Sequence, residues 1–249
     1  MRRINYKTLA GGFIWLSLAL IFIMPKTARA QYEFTNDEAQ FTTEYPGLAV
    51  QDFRGLGVIP GSDSNCTTPV NEFSDDACFS PGDVLPGIEF SAFPQGDIAL
   101  LGAFVANNPF PALATDEFLD TLVIGFLNGD VKQVGIDLCC FAKGGAPCSE
   151  TLNVNVFNED DVQIGSTTVV ATDECNSFLG ISSDKFILRV ELSGPDDIFP
   201  GVDKVLFGNR VGENVPTLSE WGMLSAAAGL GLIGLFFVAR RTRAVRRAG

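Results

Sequence analysis

Gln133-Val134-Gly135-Ile136-Asp137-Leu138-Cys139-Cys140 decides the fold class. Val134, Ile136, Leu138 and Cys140 alternate with Gln133, Gly135, Asp137 and Cys139. Successive side chains of a β-strand point to opposite faces, so this period-two pattern predicts a strand with Cys140 toward the core and Cys139 toward the outside. The same alternation recurs downstream, with Leu152, Val154 and Val156 set against Asn153 and Asn155. Nine β-rich runs are bounded by Gly, Pro, Asn and Asp: Leu48–Phe53, Gly87–Phe93, Ile98–Val105, Thr121–Leu127, Val131–Phe141, Leu152–Phe157, Val162–Val170, Phe186–Leu192 and Val202–Phe207. Such spacing predicts an all-β chain, a two-sheet jelly-roll-type β-sandwich. Asn128-Gly129 between two runs predicts a hairpin. A short helix is expected at the start of the domain, where Thr35-Asn36-Asp37-Glu38 fits a capping box and Pro46-Gly47 ends the segment.

Length, charge and cysteines bound the function. Of 249 residues with 17 Lys+Arg and 30 Asp+Glu, the segment 31–214 keeps seven cations and 29 acids, a net charge of about −22. Phosphate repulsion at that charge excludes nucleic acid as a partner. Cys66, Cys78, Cys139, Cys140, Cys148 and Cys175 all fall in this segment, and the chain has no His. An even count outside the cytoplasm predicts three disulfides. Zinc is the alternative, opposed by the lack of any CxxC pair and of His. Cys66 and Cys78 are expected to close one loop. Cys139 with Cys148, and Cys140 with Cys175, are the expected remaining pairs.

Both ends look like address signals. Arg2, Arg3 and Lys7 precede an apolar run from Leu9 to Met24, and Ala28-Arg29-Ala30 supplies small residues for cleavage before Gln31. At the other end Trp221–Ala239 is 19 residues without a charge, long enough as a helix to span about 28 Å, roughly one hydrocarbon core. Arg240, Arg241, Arg243, Arg246 and Arg247 follow and are expected to stay cytoplasmic. The expected organisation is a signal peptide over 1–30, an extracytoplasmic domain over 31–214 and a sorting tail over 215–249.

The tail also carries a resemblance. Val215-Pro216-Thr217-Leu218-Ser219-Glu220-Trp221-Gly222, an apolar helix and an Arg-rich end resemble the IPTL-type C-terminal sorting domain, a relative of the PEP-CTERM signals of Gram-negative bacteria. Val215 stands where isoleucine is usual. The resemblance implies recognition by an exosortase, a membrane-embedded cysteine protease or transpeptidase. It further implies an inner-membrane anchor through 221–239 before processing, and transfer to the cell surface after it. The sorting residues it implies are Val215, Pro216, Thr217, Leu218, Trp221 and Gly222. Phe41-Thr42-Thr43-Glu44-Tyr45-Pro46-Gly47, Phe178-Leu179-Gly180-Ile181 and Gly201-Val202-Asp203-Lys204-Val205-Leu206-Phe207-Gly208 resemble PEP-CTERM surface domains, which implies a lectin-like β-sandwich.

Catalytic signals are sparse. Without His, Ser-His-Asp and Cys-His machinery is absent, and no catalytic residue is assigned. Two carboxylates suffice for glycoside hydrolysis, but 29 acids make a chance pair easy to find. Asn158-Glu159-Asp160-Asp161, Asp196-Asp197 and Asp203 are acidic sites where Ca²⁺ could bind, though none has EF-hand spacing; no metal ligand is assigned. Loops at Gly61–Ser80, Asn107–Glu117 and Gly144–Ser149 are expected to carry any site. The leading expectation is a non-enzymatic surface or matrix protein that binds extracellular polysaccharide. A secreted glycan hydrolase and a purely structural surface subunit are the alternatives.

The tail generates a test. A plain anchor needs only about 20 apolar residues followed by positive charge. A sorting signal must be read in an extended segment, which Pro216 favours by fixing φ and biasing Val215 away from helix. Pro216→Ala with Thr217→Ala is expected to leave export intact and to block processing, so full-length protein accumulates in the inner membrane. Unchanged mass and membrane fraction in the native host would reduce the tail to an anchor.

Overall fold

The computed structural model describes residues 32–94, 96–117 and 120–209. Ala28, Ala30, Gln31 and the segment 215–249, where the export and sorting features are expected, lie outside the described residues. Among the described residues no helix is long and apolar enough to cross a membrane. In chain order the elements are β1 (Tyr32–Thr35), α1 (Glu38–Glu44), β2 (Ala49–Asp52), β3 (Asp63–Cys66), β4 (Ile88–Phe93), β5 (Ile98–Leu101) and β6 (Ala112–Thr115). Then come β7 (Thr121–Phe126), β8 (Gln133–Ala142), β9 (Ser149–Asn158), β10 (Gln163–Thr172), β11 (Ser177–Ser183), β12 (Ile187–Ser193) and β13 (Ile198–Gly208).

The last eight strands pair as nested antiparallel couples: β6 with β13, β7 with β12, β8 with β11, and β9 with β10. Lateral pairing of β13 with β8 and of β12 with β9 folds this ribbon into two sheets. One runs β6-β13-β8-β11 and the other β7-β12-β9-β10, the strand order of a jelly roll. A single bridge, Thr172 to Cys139, joins the two at one corner. The short strands extend the edges. β5 and β3 continue beyond β6, β2 pairs the far half of β13, β1 pairs β11, and β4 pairs β7.

The core lies between the sheets and follows the predicted alternation. Val134, Ile136 and Leu138 of β8 meet Leu152, Val154 and Val156 of β9 and Leu122 and Ile124 of β7, all fully buried. Each such side chain contributes roughly 1.5–3 kcal/mol by leaving water. All nine predicted strands are present, with shifted ends. The run expected over Ile98–Val105 stops at Leu101, because Gly102 packs against the Ile59 and Ser62 backbone, where a Cβ would fall 2.3 Å from the Ile59 carbonyl oxygen. Strands β1, β3, β6 and β11 are additional.

Three expectations need correction. Asn128-Gly129 forms a turn, with Gly129 at φ +64°, but no hairpin: both edges of β7 are taken by β4 and β12, so the chain crosses to the other sheet. The helix cap lies two residues beyond Thr35, and the helix starts at Glu38. Asp37 is its N-cap, with Oδ1 accepting from Gln40 N at 2.9 Å, while Thr35 belongs to β1. Third, the disulfides are Cys66–Cys78, Cys139–Cys175 and Cys140–Cys148. The first is as expected; the other two exchange the expected partners. Cys140 does face the core, where Cys148 also lies. Cys139 faces the opposite side, yet it is fully buried there beside Cys175.

Strand β8 is therefore covered on both faces. On the outer face α1 drops Phe41 onto Gly135 and Gly180, which are directly paired. The absence of two side chains makes the recess, and Phe41 packs there against Phe178 with ring centroids 5.6 Å apart. Lys204 ties the helix down, its Nζ donating at 2.7 Å both to Glu38 Oε1 of α1 and to Asp137 Oδ2 of β8. Burial raises the Asp137 carboxyl above the usual range even though Lys204 acts the other way.

A Cβ at Gly180 would meet the Phe41 ring at 2.5 Å. Gly180→Ala is expected to destabilise the fold by about 1–3 kcal/mol. Gly57→Ala, where nothing lies within 4 Å, should change stability by less than about 0.5 kcal/mol. Denaturant unfolding of the two variants checks this; equal midpoints would remove the recess as the seat of α1.

Candidate functional site

Beyond the part that α1 covers, a row of small side chains crosses the outer face of the β3-β5-β6-β13-β8 sheet. Asn65 pairs with Ala99, Ala99 with Ala114, Ala114 with Gly201, and Gly201 with Cys139. Small residues in register on five strands leave a trough. Gly201 cannot carry a side chain there, since a Cβ would sit 2.8 Å from Phe141 and 2.9 Å from the Leu113 carbonyl oxygen. The row ends at the Cys139–Cys175 disulfide.

Flanking rows make the walls. Phe199 opposite Phe141 stands on one side. On the other Leu101 stands opposite both Asp63 and Ala112. Val105 and Ala106 close over this apolar patch. Their loop is shaped by Asn108, which is fully buried: its Nδ2 donates to the Gly102 and Phe110 carbonyls and its Oδ1 accepts from Ala106 N. Asn107 Nδ2 donates to Asp173 Oδ2 at 2.7 Å and pins the loop to the segment before Cys175. Lys143, Gly144 and Gly145 form a short 3-10 turn whose two glycines, both at positive φ, line the β8 end. The resulting cleft has a volume of about 410 Å³.

Its polar groups gather at the β3 end. Asp63 and Asp116 line the cleft, and Asn65 Nδ2 donates to Asp116 Oδ2 at 2.9 Å. Burial raises the Asp116 carboxyl above the ordinary carboxylate range, and the nearby charges of Glu117, Asp97 and Asp63 add to the rise. Thr115 also borders the cleft, but it stands opposite the core residue Ile98, and its buried Oγ1, without a hydrogen-bond partner among the described residues, is not one of the groups the cleft presents. Neither Lys nor Arg is among the described lining residues. The arrangement can bury an apolar ring face and hydrogen-bond a polar edge. It offers no nucleophile of the thiol kind, because all six cysteines are paired.

The acidic stretches singled out from the sequence stand apart from this cleft. Asn158 is buried and its Oδ1 accepts from Asp160 N and Val162 N, so Asn158–Asp161 is the β9–β10 turn. Asp161 pairs with Arg189. Asp197, at φ +65°, turns the chain into β13. Asp203 sits buried at a bulge between Val202 and Lys204, 3.4 Å from Arg54, whose guanidinium lies 3.8 Å over the Phe110 ring. Among the described residues no three Asp, Glu or Cys side chains are placed to hold a metal ion. The three loops expected to carry a site each contribute to the cleft, through Asp63, through Ala114 to Asp116, and through Gly144 and Gly145. Ala99, Gly201, Phe141 and Phe199 were not marked out by sequence. Alanines at outward strand positions are the signal, readable only once the register is known.

No family model and no curated protein matches the chain. Among solved structures the chain overlaps the CBM22-1 and GH10 modules of an endo-1,4-β-D-xylanase from Clostridium thermocellum complexed with xylohexaose. That overlap has 12% identity and a TM-score of 0.33, over 61% of this chain and 28% of that one. A CBM22-1 xylan-binding domain from Paenibacillus barcinonensis overlaps at 10% identity and a TM-score of 0.33, over 66% of this chain and 95% of that one. An arabinose-bound α-L-arabinofuranosidase overlaps at 11% identity and a TM-score of 0.25, over 64% of this chain and 24% of that one. TM-scores this low assign neither a family nor a ligand to this chain.

Proposed function

We propose that the protein is an exported, non-catalytic surface protein that holds extracellular polysaccharide in the outer-face cleft. In this reading residues 1–30 direct export. The tail from Val215 anchors the chain and is then read by an exosortase-type protease, which delivers the domain to the cell surface. The support for routing is the sequence of the two ends. The support for binding is one observation: a trough of about 410 Å³ with an apolar floor and carboxylates at one end. Small-molecule sites are commonly of this size and build, mostly apolar with a few placed polar groups. A pyranose ring presents an apolar face and a hydroxylated edge, which suits Phe199 and the alanine row on one hand and Asp63 and Asp116 on the other.

The convergence of Asp63 and Asp116 on one cleft favours a second reading, a secreted glycan hydrolase. A carboxyl raised by burial is the type of group that serves as general acid, and a second carboxylate as base or nucleophile. Release of reducing ends from a glycan panel separates the readings; any turnover that Asp116→Asn abolishes would establish the hydrolase.

Binding generates its own test. The exported, oxidised protein is expected to bind a subset of polysaccharides on a glycan array. Ala114→Leu fills the trough and Asp63→Ala removes an exposed rim carboxylate; each should weaken binding at least tenfold, about 1.4 kcal/mol. Asp63→Ala should leave Tm unchanged, since surface changes of this sort usually stay within about 0.5 kcal/mol. Wild-type affinity in both variants would move the site elsewhere.

A further inference from the structure

The turn that carries the chain from β7 to β8 leaves its asparagine unguarded. Leu127 N donates to the Gly87 carbonyl at 2.9 Å, and Ile187 N donates to the Val131 carbonyl at 2.7 Å. Between these two anchors Asn128, Gly129 and Asp130 are exposed. The Asn128 side-chain amide makes no hydrogen bond among the described residues, although an amide can make several. It only lies against Gly87, where a Cβ would fall 2.4 Å from Asn128 Nδ2. Gly129 follows at φ +64°, with open space where a Cβ would stand. A glycine sets no side chain beside its own backbone nitrogen. An unengaged amide carbon and an unshielded nitrogen are thus adjacent in one exposed turn.

The other asparagines lack this combination. Asn65, Asn71, Asn107, Asn108, Asn158 and Asn176 spend their side chains on hydrogen bonds. Asn36 precedes Asp37, whose N donates to Thr35 Oγ1, and Asn153 precedes the β-branched Val154 within β9.

We propose that Asn128 is a site of spontaneous deamidation through a succinimide. The Gly129 nitrogen gives up its proton to solvent base and attacks Asn128 Cγ. The new N–Cγ bond closes a ring, the Cγ–Nδ2 bond breaks, and Nδ2 takes a proton from water and leaves as ammonia. A second water opens the ring. Cleavage of the new N–Cγ bond gives aspartate at this position. Cleavage of the original peptide bond gives isoaspartate, with the chain running through the side-chain carbon. The balance is one water consumed and one ammonia released, with no oxidant or reductant. Either product adds a negative charge two residues from Asp130, and isoaspartate also adds a methylene to the backbone. The bonds to Gly87 and from Ile187 on either side confine that extra length to the crossover.

The test ages the full, oxidised chain in detergent at mildly alkaline pH. Each asparagine is followed by peptide mapping with mass spectrometry and by enzymatic methylation of isoaspartate. Asn128 is expected to convert at least tenfold faster than any other asparagine from Asn36 to Asn209. Isoaspartate should form along with aspartate, and the rate should rise with pH, because the attacking nitrogen must lose its proton. Aged protein should carry the same added charge on anion exchange as the unaged Asn128→Asp variant. Gly129→Ala, which shields the nitrogen, should slow conversion at least fivefold, and Asn128→Gln should abolish the fast acidic shift. Conversion of Asn128 no faster than that of the other asparagines, or seen only in the reduced and denatured chain, would overturn the assignment, since the fold would then protect the turn. Aspartate formed without isoaspartate would overturn the ring route.

Discussion

Two adjacent cysteines on one strand hold this structure together. Successive residues of a strand point to opposite faces, so Cys139 and Cys140 cannot share a side of β8. Cys140 reaches into the core and ties β8 to Cys148, just before β9. Cys139 reaches outward to Cys175, in the turn between β10 and β11. One strand is thus fastened covalently on both faces. It is also hydrogen-bonded along one edge to β13 and along the other mainly to β11. The core and the cleft meet at this strand, the first through Cys140 and its neighbours, the second through Phe141 and Ala142, which line it.

The parts of this arrangement that depend on local pattern were legible in the sequence. Leu152, Val154 and Val156 declare their strand by alternation, and Val134 to Cys140 do the same. Strands without alternation escaped. All four residues of Ala112–Thr115 are buried, and Ser177–Ser183 is buried at five positions of seven, so neither shows a wet face to give a period of two. The Asn128-Gly129 turn was readable, but which strands it joins depends on β7 having both edges occupied, a fact of tertiary pairing. The disulfide exchange has the same origin. Both Cys148 and Cys175 are compatible with either cysteine of β8 until it is known which face each one approaches.

The cleft was the least legible feature, because it consists of what is missing. A binding surface built from Trp or Arg advertises itself in a sequence. One lined by Ala99 and Ala114 reads as ordinary strand composition until the register sets the two opposite each other on separate strands. The acidic runs that do advertise themselves have structural work instead. Asn158 closes a turn, Asp37 caps a helix, and Asp203 is held beside Arg54. Acidity spread over residues 31–214 hides the few carboxylates that converge.

A cavity made by omission on the outer face is separate from the residues that keep the chain folded. Val134, Ile136, Leu138 and Val202 fill the interior from one side of their strands, while Ala99 and Ala114 look the other way and line the trough. Exchanging one of these alanines for a larger or polar residue changes the depth and chemistry of the trough without entering the interior. The shape of the trough can therefore be altered by single substitutions that leave the filling between the two sheets as it is.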